Sequence, residues 1–274
     1  MSGSGEDGPL PQRGRGDDSP SSCDSFEKEG KSVMGELVLD GHTHCGLTIP
    51  LDILSREWKR AAIDGGVVFS PVEEIYDRYD SFFEDSEEYK QSRRAVHEYL
   101  LRISVQDYLF PYFFVWNDFP SIPDGFVGIK WHRHPGEPVY NYGTRACERV
   151  IGQICEKRLP IVLEEEFHNT LNFVRDIAGR TVVVIPHMGA LNGGYVELKE
   201  AGVFDNPTVW VDTALAGRRE ISDFARNFGI DRIIFGSDYP FGIPMNEKRK
   251  LHNLFSDDDL SAVLSGNLMK LLKR

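Results

Sequence analysis

The chain is short of three things that would settle its class at once. It has only four cysteines in 274 residues (Cys23, Cys45, Cys147 and Cys155), none in a CxxC pair. That argues against a disulfide framework and against a zinc ribbon. Its longest apolar run, residues 108–116, contains Pro111 and falls far below the roughly 18 residues that a membrane-spanning helix needs. Its 31 basic residues are outnumbered by 43 acidic ones, a net charge of −12, whereas a protein held on nucleic-acid phosphates needs a basic surface. No apolar leader opens the sequence, so a secretory signal is not expected and a reducing cytoplasm is the expected compartment. What is present is an apolar fraction of 41% with 11% aromatics, enough to bury a sizeable core.

Residues 1–35 hold seven Gly, seven Ser and three Pro with almost no aliphatic side chains. Such a segment cannot bury enough apolar surface to offset its ordering entropy, so a disordered tail is expected there. Met34, just before the first hydrophobic run, is a plausible true start. The remainder, 36–274, reads as one domain of short apolar runs at 36–40, 67–70, 110–116, 126–130, 160–165, 181–186, 208–212 and 232–237. Most are aliphatic on both faces, as strands buried in a parallel sheet are. Helical patterns lie between them, such as Val96, Tyr99, Leu100 and Ile103 on one face of 87–105. Eight strands alternating with helices over this length predict an α/β fold, a (β/α)₈ TIM barrel. The rival, a doubly wound open sheet, lacks a Gly-rich phosphate loop after its first strand.

The first strand runs into Asp40-Gly41-His42-Thr43-His44. Residues two apart on a strand share a side, so both imidazoles can reach one metal ion. The sixth strand leads to His187 and the eighth to Asp238. An Asp after a buried strand is often only the N-cap of the next helix. Two histidines, a third and an aspartate at three strand ends nevertheless converge on the carboxyl face of a barrel, where active sites sit.

On the strings DGHTHCG, GIKWH, LPIVLEE, IPHMGA, IIFGSDYPFG and LSGNLMKLL, spread over residues 39–272, the chain resembles the amidohydrolase superfamily. Within it the resemblance is to the amidohydrolase-2 branch of TIM-barrel metal-dependent hydrolases. It implies that His42, His44 and Asp238 ligate a divalent metal, usually zinc. It implies too that His187 binds a second metal or orients water and substrate. One departure stands out. Where the family's fifth strand ordinarily delivers a histidine, this chain has Glu164. A carboxylate also ligates zinc, but its added charge suits harder ions such as Mn²⁺ or Mg²⁺. Glu166 shares the Glu164 face by strand alternation, and His168 could reach back from the loop.

On the fourth strand Lys130 has two readings, a carboxylated bridge between two metals or, with His132, a contact to an anionic group of the substrate. His134 reads as loop and His97 and His252 as surface residues, while Arg145, Arg218 and Arg219 read as helix-surface charge. The reading is a metal-dependent hydrolase with Asp238 and His187 as catalytic residues. Lys130 and His132 would contact substrate, and His42, His44, Glu164, His187 and Asp238 would hold one or two ions. It would use a metal-activated water on an amide, ester or lactone-like bond of a small molecule, with oligomeric state left open. The alternatives are a nonoxidative decarboxylase or hydratase of the same branch, and an inactive barrel that only binds.

Overall fold

The computed structural model describes residues 36–273, and the expected tail at 1–35 lies outside the described residues. Eight strands run in parallel, each beside the next in sequence. They are β1 (Leu39–His44), β2 (Gly65–Phe69), β3 (Leu109–Phe114), β4 (Gly128–His132), β5 (Ile161–Glu164), β6 (Val183–Ile185), β7 (Val209–Asp212) and β8 (Ile233–Ile234). The ring closes where Gly41 N–H donates to the Phe235 carbonyl (2.7 Å) and Asp238 N–H to the His42 carbonyl (2.7 Å). This is the barrel that the alternation predicts. Among the helices outside it are α1 (Leu51–Arg60) and α2 (Glu87–Ile103).

Apolar side chains divide by strand phase. Leu39, Val67, Phe69, Tyr112, Val162, Val184, Trp210 and Ile234 fill the interior. Residues one position along, such as Val68, Ile129, Leu163 and Val211, pack outward against the helices. The phase carries functional side chains as well. Lys130 and His132 follow the inward phase of β4, and Glu164 follows Val162 on β5.

β1 departs from the expected 36–40. Its polar DGHTH stretch is itself strand, because β2 supplies its backbone partners, and the pairing slips between Asp40 and Thr43. That irregularity switches phase, as a bulge does, so that Leu39 and the His42/His44 pair all face inward. Asp40 is buried on the other side and fastens the seam. Its Oδ1 accepts the N–H groups of His42 (3.2 Å) and Ser237 (2.8 Å), and its Oδ2 accepts Trp58 Nε1–H (3.2 Å). Gly41 permits the closure, since a Cβ there would lie 2.4 Å from Ile234 Cγ2.

His97 corrects the sequence reading. It is not a surface residue but is buried on the inner face of α2, with its ring 4.2 Å from that of Phe113. Its Nε2 accepts Phe114 N–H (3.3 Å). Being polar, it reads as exposed, yet it sits one residue from Val96 on the stripe that meets β3. Burial, with some help from Arg93, pushes its pKa down to about 3. The unfolded chain, with an ordinary histidine pKa near 6.5, therefore takes up this proton first as pH falls. Stability is lost between about pH 6.5 and 3. His97→Phe is expected to be ~1–3 kcal/mol less stable at pH 7, because Phe114 N–H loses its acceptor, but to lose less on acidification. Denaturant titrations at pH 7 and 4.5 check this, and equal losses in both proteins would refute it.

Candidate metal centre and active site

The structure brings His42, His44, Glu164, His187 and Asp238 together at the carboxyl ends of β1, β5, β6 and β8, all buried. His42 Nδ1 faces Asp212 Oδ2 at 2.7 Å, His44 Nδ1 the Ser70 carbonyl at 3.1 Å, and His187 Nδ1 the Ala214 carbonyl at 2.9 Å. Carbonyls and carboxylates only accept, so each Nδ1 carries a proton and Nε2 is the atom left toward the centre. His42 Nε2 and His44 Nε2 lie 3.4 and 3.3 Å from Asp238 Oδ1. Atoms bound about 2.0–2.1 Å from a tetrahedral ion are themselves roughly 3.3 Å apart. Glu164 Oε1 stands 3.7 Å from both His42 Nε2 and His187 Nε2.

Two of these side chains are aimed by unusual backbone. His187 (φ 56°) and Asp238 (φ 55°) occupy the left-handed region, which costs an L-residue roughly 1–2 kcal/mol. Strand alternation from Val184 would point residue 187 outward, and the left-handed turn after β6 brings it back.

Charge follows the packing. Burial works to raise the Glu164 carboxyl, but the Lys130 ammonium and the His132 and His134 rings outweigh it and hold its pKa well below the usual range. Burial likewise opposes ionisation of Asp238, yet His44, His42 and His187 bring its pKa down to about 2. His42 is pushed down by burial and Lys130, which keeps it neutral. For His187 burial disfavours charge, but Glu164, Asp212 and Asp238 outweigh it and lift the pKa to about 9.

Lys130, expected at the substrate, is fully buried with its ammonium among the candidate ligand atoms. Its ammonium pairs with Glu164 and donates to His42 Nε2 at 3.2 Å. His132 lines a cavity of about 210 Å³ above the centre, together with Arg78, His134, Leu191, Leu215 and Phe241. His134 is not mere loop, and here the structure corrects the sequence. Arg78 donates to its Nδ1 (3.0 Å), which places the ring proton on Nε2, 2.7 Å from Glu164 Oε2. His132, His134 and Glu164 thus cluster as closely as His42, His187 and Asp238 do, but His134 meets Glu164 as a donor. Glu166 turns outward to Arg133 (2.9 Å) and His168 is exposed.

Sequence reasoning missed Asp212, which orients His42 and also accepts His187 N–H (2.9 Å). Its signal was available, because it ends the seventh run as Asp238 follows the eighth. Arg78 and its partner Glu137 (2.7 Å) lie in loops, where no pattern marks them.

A parallel eight-stranded barrel with buried imidazoles and carboxylates gathered at its strand ends defines an enzyme-type barrel with candidate metal-binding groups. The profile of the amidohydrolase family, amidohydrolase-2 type, matches residues 124–274, and the chain belongs to that family. No curated protein matches its sequence. Several solved structures share the fold. A 2,6-dihydroxybenzoate decarboxylase from Rhizobium is similar at 12% identity over 87% of this chain and 98% of its own, with a TM-score of 0.64. The 5-carboxyvanillate decarboxylase of Sphingomonas paucimobilis gives 10% identity, 87% and 99% coverage and 0.65. A probable 2-pyrone-4,6-dicarboxylic acid hydrolase from Acinetobacter baumannii gives 12%, 86% and 99%, and 0.62. At such identities the likeness speaks for the fold alone. No helix among the described residues is long and apolar enough to cross a membrane.

Proposed function

We propose that the chain is a metal-dependent hydrolase acting on an amide, ester or lactone-like bond of a small molecule. The observation that carries this reading is the common anchoring of three rings, with Nε2 of His42, His44 and His187 left facing Glu164 and Asp238. Donor chemistry fits a divalent ion, since a neutral imidazole and ionised carboxylates stand at ligand-edge spacings. His42, His44, Glu164 and Asp238 would hold it, with His187 beside it or on a second ion. A bound divalent ion would lower the pKa of a water from 15.7 toward about 7. The Asp238 carboxylate would take the proton of the attacking water and pass it to the leaving group. His187, where it holds no ion, polarises the scissile carbonyl. His132 meets an anionic group of the substrate from the cavity wall, and Lys130 balances the Glu164 charge. Two carboxylates in the set leave zinc, Mn²⁺ and Mg²⁺ all suitable.

A lyase reading has one observation in its favour. Glu164, Asp212 and Asp238 favour the charged form of His187, and where it holds no ion such a ring is a proton donor of the kind a decarboxylase needs at the carbon that loses carbon dioxide. The named neighbours include both chemistries.

The test is protein purified without chelators, analysed for metals and offered lactones, esters, amides and hydroxybenzoates. At least one divalent ion per chain with turnover of the first three classes is expected. Carbon dioxide release from hydroxybenzoates would favour the lyase, and no metal and no turnover would defeat both. In the same protein Glu164→His is expected to shift metal preference toward zinc. Unchanged metal content and activity would place Glu164 outside the site.

A further inference from the structure

A second cavity, of about 380 Å³, lies between α2 and the segment joining β3 to β4, within the size range of small-molecule sites. It is larger than the cavity above the candidate metal centre. Its α2 wall is one helical stripe divided by character. Lys90, Arg93, Arg94 and His97 make a basic, donor-bearing half, while Leu101 continues into an apolar half with Phe113 and Phe126. Acids stand along this wall as well. Asp118 is engaged by Arg93 (2.9 Å), which also holds Asp85, and among the described residues Glu98 is the acid of the wall without such a partner. Among the described residues Lys90 and Arg94 meet only Glu87, at 3.5 and 3.7 Å on exposed surface.

His97 supplies the second, independent observation. It is 8% exposed and lines the cavity. Its Nε2 is taken up as acceptor by Phe114 N–H, so the neutral ring carries its proton on Nδ1. That Nδ1–H has no partner among the described residues. That nitrogen is not among the fully buried unpartnered atoms of the described residues, so it is open to the cavity that its ring lines. The ring itself is fixed by Phe113 at 4.2 Å and Phe126 at 5.6 Å, edge-on.

We propose that this cavity is a second binding site, for a small aryl carboxylate whose carboxylate accepts from His97 Nδ1–H beside Arg94 and whose ring lies against Leu101, Phe113 and Phe126. The site is separate from the barrel mouth and asks nothing of a metal.

The experiment uses benzoate as probe and the full chain, with methyl spectra and calorimetry. Leu101 lines this cavity and Leu215 the mouth, so their methyl groups report the two places separately. Benzoate is expected to shift Leu101. Leu101→Trp, which fills the apolar half from a half-buried position, and His97→Phe, which removes the donor, should each weaken that binding at least tenfold. Shifts confined to Leu215, no shift at either leucine, or equal affinity in Leu101→Trp would overturn the proposal. Because Leu101→Trp stands on its own, the proposal can still fail if His97→Phe does not fold.

Discussion

Changing His42 and His44 together to alanine is expected to strip the protein of its divalent metal while leaving a folded barrel. Both Nε2 atoms stand at ligand-edge distance from Asp238 Oδ1, so the pair would hold the ion together with that carboxylate. Removing both takes away two of the five candidate donors and leaves His187 as the one ring nitrogen among them. The fold should survive at a cost. Asp212 Oδ2 loses His42, but Oδ1 keeps the N–H groups of His187 and Ala214, and a buried group left partly unsatisfied costs ~1–3 kcal/mol. Elemental analysis beside circular dichroism reads both results. A full metal complement in the folded double variant would mean that the two histidines are not a ligand pair.

Asp238→Asn should separate metal holding from chemistry. Asparagine tolerates the left-handed backbone found at this position (φ 55°) and keeps one oxygen at the place of Oδ1. It cannot take a proton near neutral pH. The variant is expected to retain much of its metal and to lose on the order of 10²–10⁴ in turnover. His187→Asn, also at a left-handed position, should depress turnover as well, and should lower metal content only if a second ion sits there. A fully active Asp238→Asn would reduce Asp238 to a structural residue and defeat the hydrolytic mechanism.

Much of this was legible in the sequence because a barrel repeats one unit, and an apolar run followed by a helix pattern is a strong local signal. The polar residue after each run then falls at the mouth, which is how His187, Glu164 and Asp238 can be read. What escaped depends on partners distant in sequence. The slip in β1 that turns His42 inward is dictated by β2. The turn that returns His187 to the interior is a backbone choice that alternation does not encode. His134 gains its role from Arg78, 56 residues earlier, and His97 is buried by β3 rather than by its own helix. Between Glu164 and Glu166 alternation was neutral. The end of β5 decides, since the chain leaves the strand after Glu164 and carries Glu166 toward Arg133.

The Asp40 fastening of β1 to the segment after β8 joins residues 197 apart in sequence. His42, His44 and Asp238 lie on the two sides of that same seam, so the proposed ion would be gripped by both ends of the domain at once. Such a ligand binds the closed ring and not the open chain, and mass action then adds about 2.7 kcal/mol of stability at a hundredfold excess over Kd. Ion occupancy and barrel closure become one linked equilibrium, in which the cation acts as a clasp and its free concentration sets how tightly the first and last strands are kept together.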